Sequence, residues 1–142
     1  MTHEARITCA ASRDSLASLL RFIEEACANA ALGQEEAIAV RMSVEELCEN
    51  IIKYGYAGRE PGPLSIEFAG SDDQVVVAVE DRGRPFDPRQ APPPDLTSDW
   101  DRRPLGGLGW HLVHKLMDEV RYEPVAEGGN RVTLVKRRFA TT

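Results

Sequence analysis

The chain has 142 residues, 42% of them hydrophobic and 28% charged, which suits one domain, 1–142, with its own core. Its net charge of −6 argues against a general nucleic-acid binder, which needs a basic surface to displace counterions, although VKRRF near the C-terminus clusters three cations. No run of about 18 apolar residues occurs, so no membrane-spanning helix is expected, and MTHEARITCA lacks the long apolar core of a signal peptide.

Residues 4–10 alternate as a strand, with Ala5, Ile7 and Cys9 on one side. Ser12 reads as the N-cap of a helix over about 13–31 that carries Leu16, Leu19, Leu20, Ile23 and Cys27 on one face, and Gly33 reads as the break. A second helix follows over about 35–54 and stops at Gly55. Its apolar stripe is Ala37, Val40, Val44, Leu47, Cys48 and Ile51. Cys9, Cys27 and Cys48 form no C-x-x-C pair, so they read as reduced thiols of a cytoplasmic protein.

After a turn-rich connection at 57–63, LSIEFAG (64–70) and QVVVAVED (74–81) read as antiparallel strands, the second apolar enough for burial on both faces. Residues 82–104 hold six of the nine prolines and show no period. A loop this long in a compact domain is a lid over a ligand, at about 84–104, or a tolerated surface insertion. A helix over about 107–118, a strand at 120–125, a turn at 127–130 and a closing strand at 131–139 complete the chain. This order predicts a two-layer α/β sandwich, with a mixed, mostly antiparallel sheet of about five strands covered on one face by three helices.

Three short signals carry chemistry. Glu46 and Asn50 lie four residues apart on one helical face, at the edge of the apolar stripe, with Lys53 beyond them. A carboxylate can accept a proton, a carboxamide oxygen can ligate a hard cation, and an ammonium can meet a phosphate. The plainer alternative is a solvated helix edge. Asp81-x-Gly83 ends a strand, and Gly106, Gly107, Leu108 and Gly109 open a helix whose free N–H groups can bind phosphate.

Taken in order, these signals resemble the ATP-binding domain of the GHKL superfamily (gyrase, Hsp90, histidine kinase, MutL). Within it, DRGRPFDP at 81–88, GGLGWHLVHKLMDEVRYE at 106–123 and GGNRVTLVKRR at 128–138 are most similar to the serine/threonine kinases that act as bacterial anti-sigma factors. The resemblance implies a Bergerat-type fold that binds ATP and Mg²⁺. It implies Glu46 as general base, Asn50 as Mg²⁺ ligand and Lys53 near the phosphates. Asp81 resembles the acceptor for the adenine amino group, Gly83 the residue that keeps the backbone beside the base clear, and Gly106 to Gly109 the phosphate-binding turn. It further implies Thr133 at the adenine site through a water. Pro85 stands where the wider superfamily often has a second glycine, and Trp110 where a smaller aliphatic is usual.

The activity implied is phosphorylation of a small antagonist protein, combined with sequestration of a sigma factor. Relatives are often homodimers, and no direct nucleic-acid contact is implied. The alternative is a nucleotide-gated binding module without kinase activity, which would not need the base at Glu46. A detached histidine-kinase catalytic domain fits less well, because the chain has no long pair of dimerisation helices.

Overall fold

The computed structural model describes residues 2–85 and 107–138. Strand β1 (His3–Ala10) leads through a single 3₁₀ turn into helix α1 (Leu16–Asn29), and helix α2 (Gln34–Asn50) follows. Strands β2 (Pro63–Gly70) and β3 (Gln74–Asp81) form a hairpin. Helix α3 (Gly107–Leu116) then precedes strands β4 (Glu119–Pro124) and β5 (Asn130–Arg137).

The five strands are ordered β1-β2-β3-β5-β4, and every neighbouring pair is antiparallel. The expected sandwich and strand number hold, but the described sheet is antiparallel throughout and not mixed. Strands β3 and β4 do run the same way, yet the β4–β5 hairpin folds β5 back between them, so they never pair.

Period-two burial assigns the faces. Leu64, Ile66 and Phe68 of β2, Val75, Val77 and Val79 of β3, and Val132 and Leu134 of β5 are buried against the helices. Helix α1 lies over β1 and β2, α2 over β3 and β5, and α3 beside β4. The other face is a charge ladder. Arg131 of β5 donates to Glu67 of β2 at 3.0 Å and to Glu80 of β3 at 3.4 Å. The first of these pairs reaches across β3, over Ala78, whose small side chain is buried there. Strand β3 is therefore not buried on both faces: Val76 and Glu80 stay half-exposed, because helices cover one face and long charged side chains the other.

Three local expectations change. Ser12 makes no capping bond to the backbone, and its hydroxyl lies 3.3 Å from that of Ser15. The turn after α1 takes its left-handed residue at Ala31 (φ 54°), while Gly33 caps the start of α2 in extended conformation. The second helix does not stay α-helical to residue 54. It widens into a π-helical turn over Ile51–Gly55, directly after Asn50, and such turns gather at functional sites.

Candidate functional site

A cavity of about 350 Å³ opens between the C-terminal end of α2, the adjoining ends of β3 and β5, and Trp110 of α3. Helix α2 contributes Asn50 and the strand ends contribute Asp81 and Asn130, with Leu47, Val79 and Val132 among the apolar walls. Such a cavity, mostly apolar with a few convergent polar groups, is the usual form of a small-molecule site.

At the α2 end, Asn50 Nδ2 donates to Glu46 Oε1 at 3.4 Å. An ionised carboxylate only accepts, so the amide must turn its nitrogen toward Glu46, which leaves Asn50 Oδ1 as an acceptor for a donor or a hard cation. Glu46 is half-buried. Burial raises its pKa above the ordinary glutamate value; Glu49 adds to the rise, and the Asn50 hydrogen bond and the Lys53 charge oppose it. Neither Glu46 nor Lys53 lines the cavity; Glu46 stands beside it, hydrogen-bonded to Asn50, and Lys53 is exposed, with its charge reaching Glu46. Helix α3 packs closely here: a Cβ at Gly109 would overlap the Glu46 carboxylate. Gly107 opens α3. Only the helical backbone of Gly107 and Leu108 is described, and Gly106 lies outside the described residues. So does the expected lid beyond Pro85.

At the strand end, Asp81 is 4% exposed, so its carboxyl is largely dry. Desolvation raises its pKa, and hydrogen bonds from the Gly83 backbone and Asn130 oppose the rise. Gly83 N donates to Asp81 Oδ1 at 2.7 Å, and Asn130 Nδ2 donates to the same oxygen at 3.2 Å. Gly83 also has a packing role: a Cβ there would run into the Gly55 carbonyl, which accepts from Arg84 N at 2.9 Å. The loop after β3 is thus laid onto the π-helical turn after α2.

Thr133 is not brought into the site. In β5, Asn130 and Val132 face the helices, so alternation turns Thr133 to the charged face opposite Ala78. Asn130 stands at the cavity instead, buried and facing Asp81 across the β3–β5 ladder. The sequence reading missed it, together with Tyr56 and Gly129. The Tyr56 hydroxyl donates to Pro63 O at 2.7 Å and accepts from Arg82 N at 2.7 Å, tying the loop beside Asp81 to the start of β2. Gly129 takes φ 118°, and a Cβ there would overlap the Asp81 carbonyl. One signal was available: an amide at a core-facing position beside two glycines. Trp110 is buried and lines the cavity.

Residues 9–136 match the family model described as histidine kinase-like ATPase domain. Among curated relatives, a serine-protein kinase RsbW of Listeria monocytogenes is 31% identical over 86 residues, covering 58% of this chain and 55% of the relative. The chain therefore spans only about half of that relative's length. An anti-sigma F factor of Clostridium novyi is 33% identical over 104 residues, covering 72% of each chain. A crystal structure of RsbU and RsbW domains from Mycobacterium tuberculosis superposes with a TM-score of 0.68 at 21% identity, covering 97% of this chain and 34% of that one, which supports the fold. The chain belongs to the histidine kinase-like ATPase family and is a relative of its anti-sigma kinases.

Proposed function

We propose that this histidine kinase-like ATPase domain is an ATP-dependent protein serine/threonine kinase of the anti-sigma type. It would phosphorylate a small antagonist protein and sequester a sigma factor. The observation that carries the reading is a cavity lined by the buried Asp81 acceptor and by Asn50, with the Glu46 carboxylate held beside the cavity by the Asn50 amide. A binding module needs the acceptor and the cavity but no half-buried carboxylate with a raised pKa.

The residues present fit ATP and Mg²⁺. The apolar walls suit a purine, and Asp81 offers an acceptor for its amino group. Asn50 Oδ1 would offer one oxygen to Mg²⁺, a cation that needs few protein ligands. Bound ATP supplies the phosphoryl group, and phosphoryl transfer asks the protein mainly for positioning and charge neutralisation. Glu46 takes the proton from the attacking hydroxyl of the antagonist, and burial makes its carboxylate a stronger base than an exposed one. Gly109 lets α3 start against Glu46 without a side chain between them. Lys53 contributes positive charge from the rim.

The partners follow from the names of the relatives: serine-protein kinase for the first, anti-sigma F factor for the second. Among the described residues no helix is long and apolar enough to cross a membrane, in keeping with action in the cytoplasm on such partners. The test combines purification of the protein with its bound partners from its own cells and incubation with ATP and Mg²⁺. Transfer of phosphate to a co-purified protein, lost in Glu46→Gln while ATP still binds, is the expected result. ATP binding without transfer in the wild type would return the domain to the nucleotide-gated binding module.

A further inference from the structure

The acceptor at Asp81 is held by more than its own loop. Its two described donors, Gly83 N at 2.7 Å and Asn130 Nδ2 at 3.2 Å, both converge on Oδ1. The other hydrogen of the Asn130 amide nitrogen goes to Arg84 O at 2.7 Å, and Asn130 Oδ1 accepts from the Tyr122 hydroxyl at 2.7 Å. A phenol here is a donor to the amide oxygen, so the amide cannot reverse without setting its oxygen against the Asp81 carboxylate and the Arg84 carbonyl. Tyr122 reaches Asn130 on a strand diagonal: Tyr122 pairs with Val132, two residues beyond Asn130 on the same face of β5.

We propose that Tyr122 and Asn130 form a positioning relay that fixes the Asp81 carboxylate with Oδ2 toward the ligand, so that the site selects a purine carrying an amino group at the six position over one carrying a carbonyl. This inference rests on the nucleotide reading of the cavity and deepens it. With Oδ1 accepting from two described donors, Oδ2 is, among the described residues, the oxygen left to accept from a ligand. An adenine amino group donates to it, whereas the guanine carbonyl is a second acceptor and is repelled. Asn130 and Tyr122 act through Asp81 and need no contact with the base. Without the relay the carboxylate can rotate, and its two oxygens share the ligand position.

Equilibrium titration of the full chain with ATP and GTP, across pH, tests the relay in the wild type, Tyr122→Phe and Asn130→Ala. The wild type is expected to prefer ATP. Tyr122→Phe removes the hydroxyl's hydrogen bond to Asn130 and keeps the ring, so ATP affinity is expected to fall about threefold to tenfold. GTP affinity should change less, narrowing the ratio, and Asn130→Ala should narrow it further. Asn130→Ala also removes a donor that favours the ionised Asp81, so its loss of ATP affinity on acidification should begin at higher pH. A purely structural role would lower the melting temperature and leave both the ATP-to-GTP ratio and the pH midpoint unchanged, and that result overturns the relay. If Asn130→Ala does not fold, an unchanged ratio in Tyr122→Phe is sufficient to reject it. Failure of the wild type to bind ATP at all is a different result: it removes the nucleotide reading and the relay with it.

Discussion

The two ends of the cavity are built on opposite plans. At the strand end, Asp81, Asn130, Tyr122, Tyr56 and the 82–84 backbone are joined by hydrogen bonds of 2.7–3.2 Å, and Asp81 and Asn130 are buried. At the helix end, Glu46 and Asn50 share one bond of 3.4 Å and are half-exposed. Recognition of a flat base, as proposed for this side, requires a fixed acceptor, and a buried hydrogen-bonded network is suited to supply it. On the proposed reading, proton transfer requires a carboxylate that keeps lone pairs available for substrate, and Glu46 has one described hydrogen bond, from Asn50. Burial raises the pKa at both ends. At Asp81 two donors counter that rise, whereas at Glu46 one long bond and a distant ammonium do.

Substitution at the helix end should show the largest effect and leave binding alone. Glu46→Gln should slow phosphorylation of the partner by about two to four orders of magnitude, with ATP affinity little changed, measured on one preparation by phosphate transfer and calorimetry. A parallel fall in ATP affinity would instead make Glu46 a support for the cation at Asn50. The same variant sharpens the contrast through stability. The folded pKa of Glu46 lies above its unfolded value, so ionisation of this group costs stability above the folded pKa, and the cost vanishes as pH falls below the unfolded pKa. Glu46→Gln should therefore melt higher than wild type at neutral pH, with the gain fading in acid.

The strand end should respond through affinity. Asp81→Asn exchanges an anionic acceptor for an amide that faces the Asn130 nitrogen, and ATP binding should weaken about tenfold to a hundredfold. Unchanged affinity with an intact fold would remove Asp81 from the site. Gly83→Ala forces a Cβ toward the Gly55 carbonyl, so the loop must lift off the π-helical turn. A loss of about 1–3 kcal/mol in urea unfolding is expected, and wild-type stability would mean that the loop yields freely.

The smallest effect is predicted at the rim. Lys53 lowers the Glu46 pKa from a distance, so Lys53→Met should move the acid limb of the phosphorylation profile further up in pH, with a modest fall in the plateau rate from the lost positive charge. In the wild type that limb should already lie above the ordinary glutamate range, because burial raises the Glu46 pKa. A limb that stays fixed in the variant would show that solvent screens the pair completely.

What the sequence determined by itself was local. Helix and strand periods marked the described elements to within a few residues, because the pattern of burial repeats every 3.6 or two positions along one segment. The spacing of Glu46 and Asn50 likewise needed only helix geometry. The tertiary structure decided what depends on segments meeting. The β3–β5 register brings Asp81 opposite Asn130, 49 residues later, and the same pleat turns Thr133 to the wrong face. A register shift of one residue would exchange those two, and nothing within either segment alone sets it. Tyr56 and the reason for Gly83 were hidden for the same cause: their partners, Arg82 and Pro63 for one and Gly55 for the other, come close only when the end of α2, the start of β2 and the end of β3 pack together.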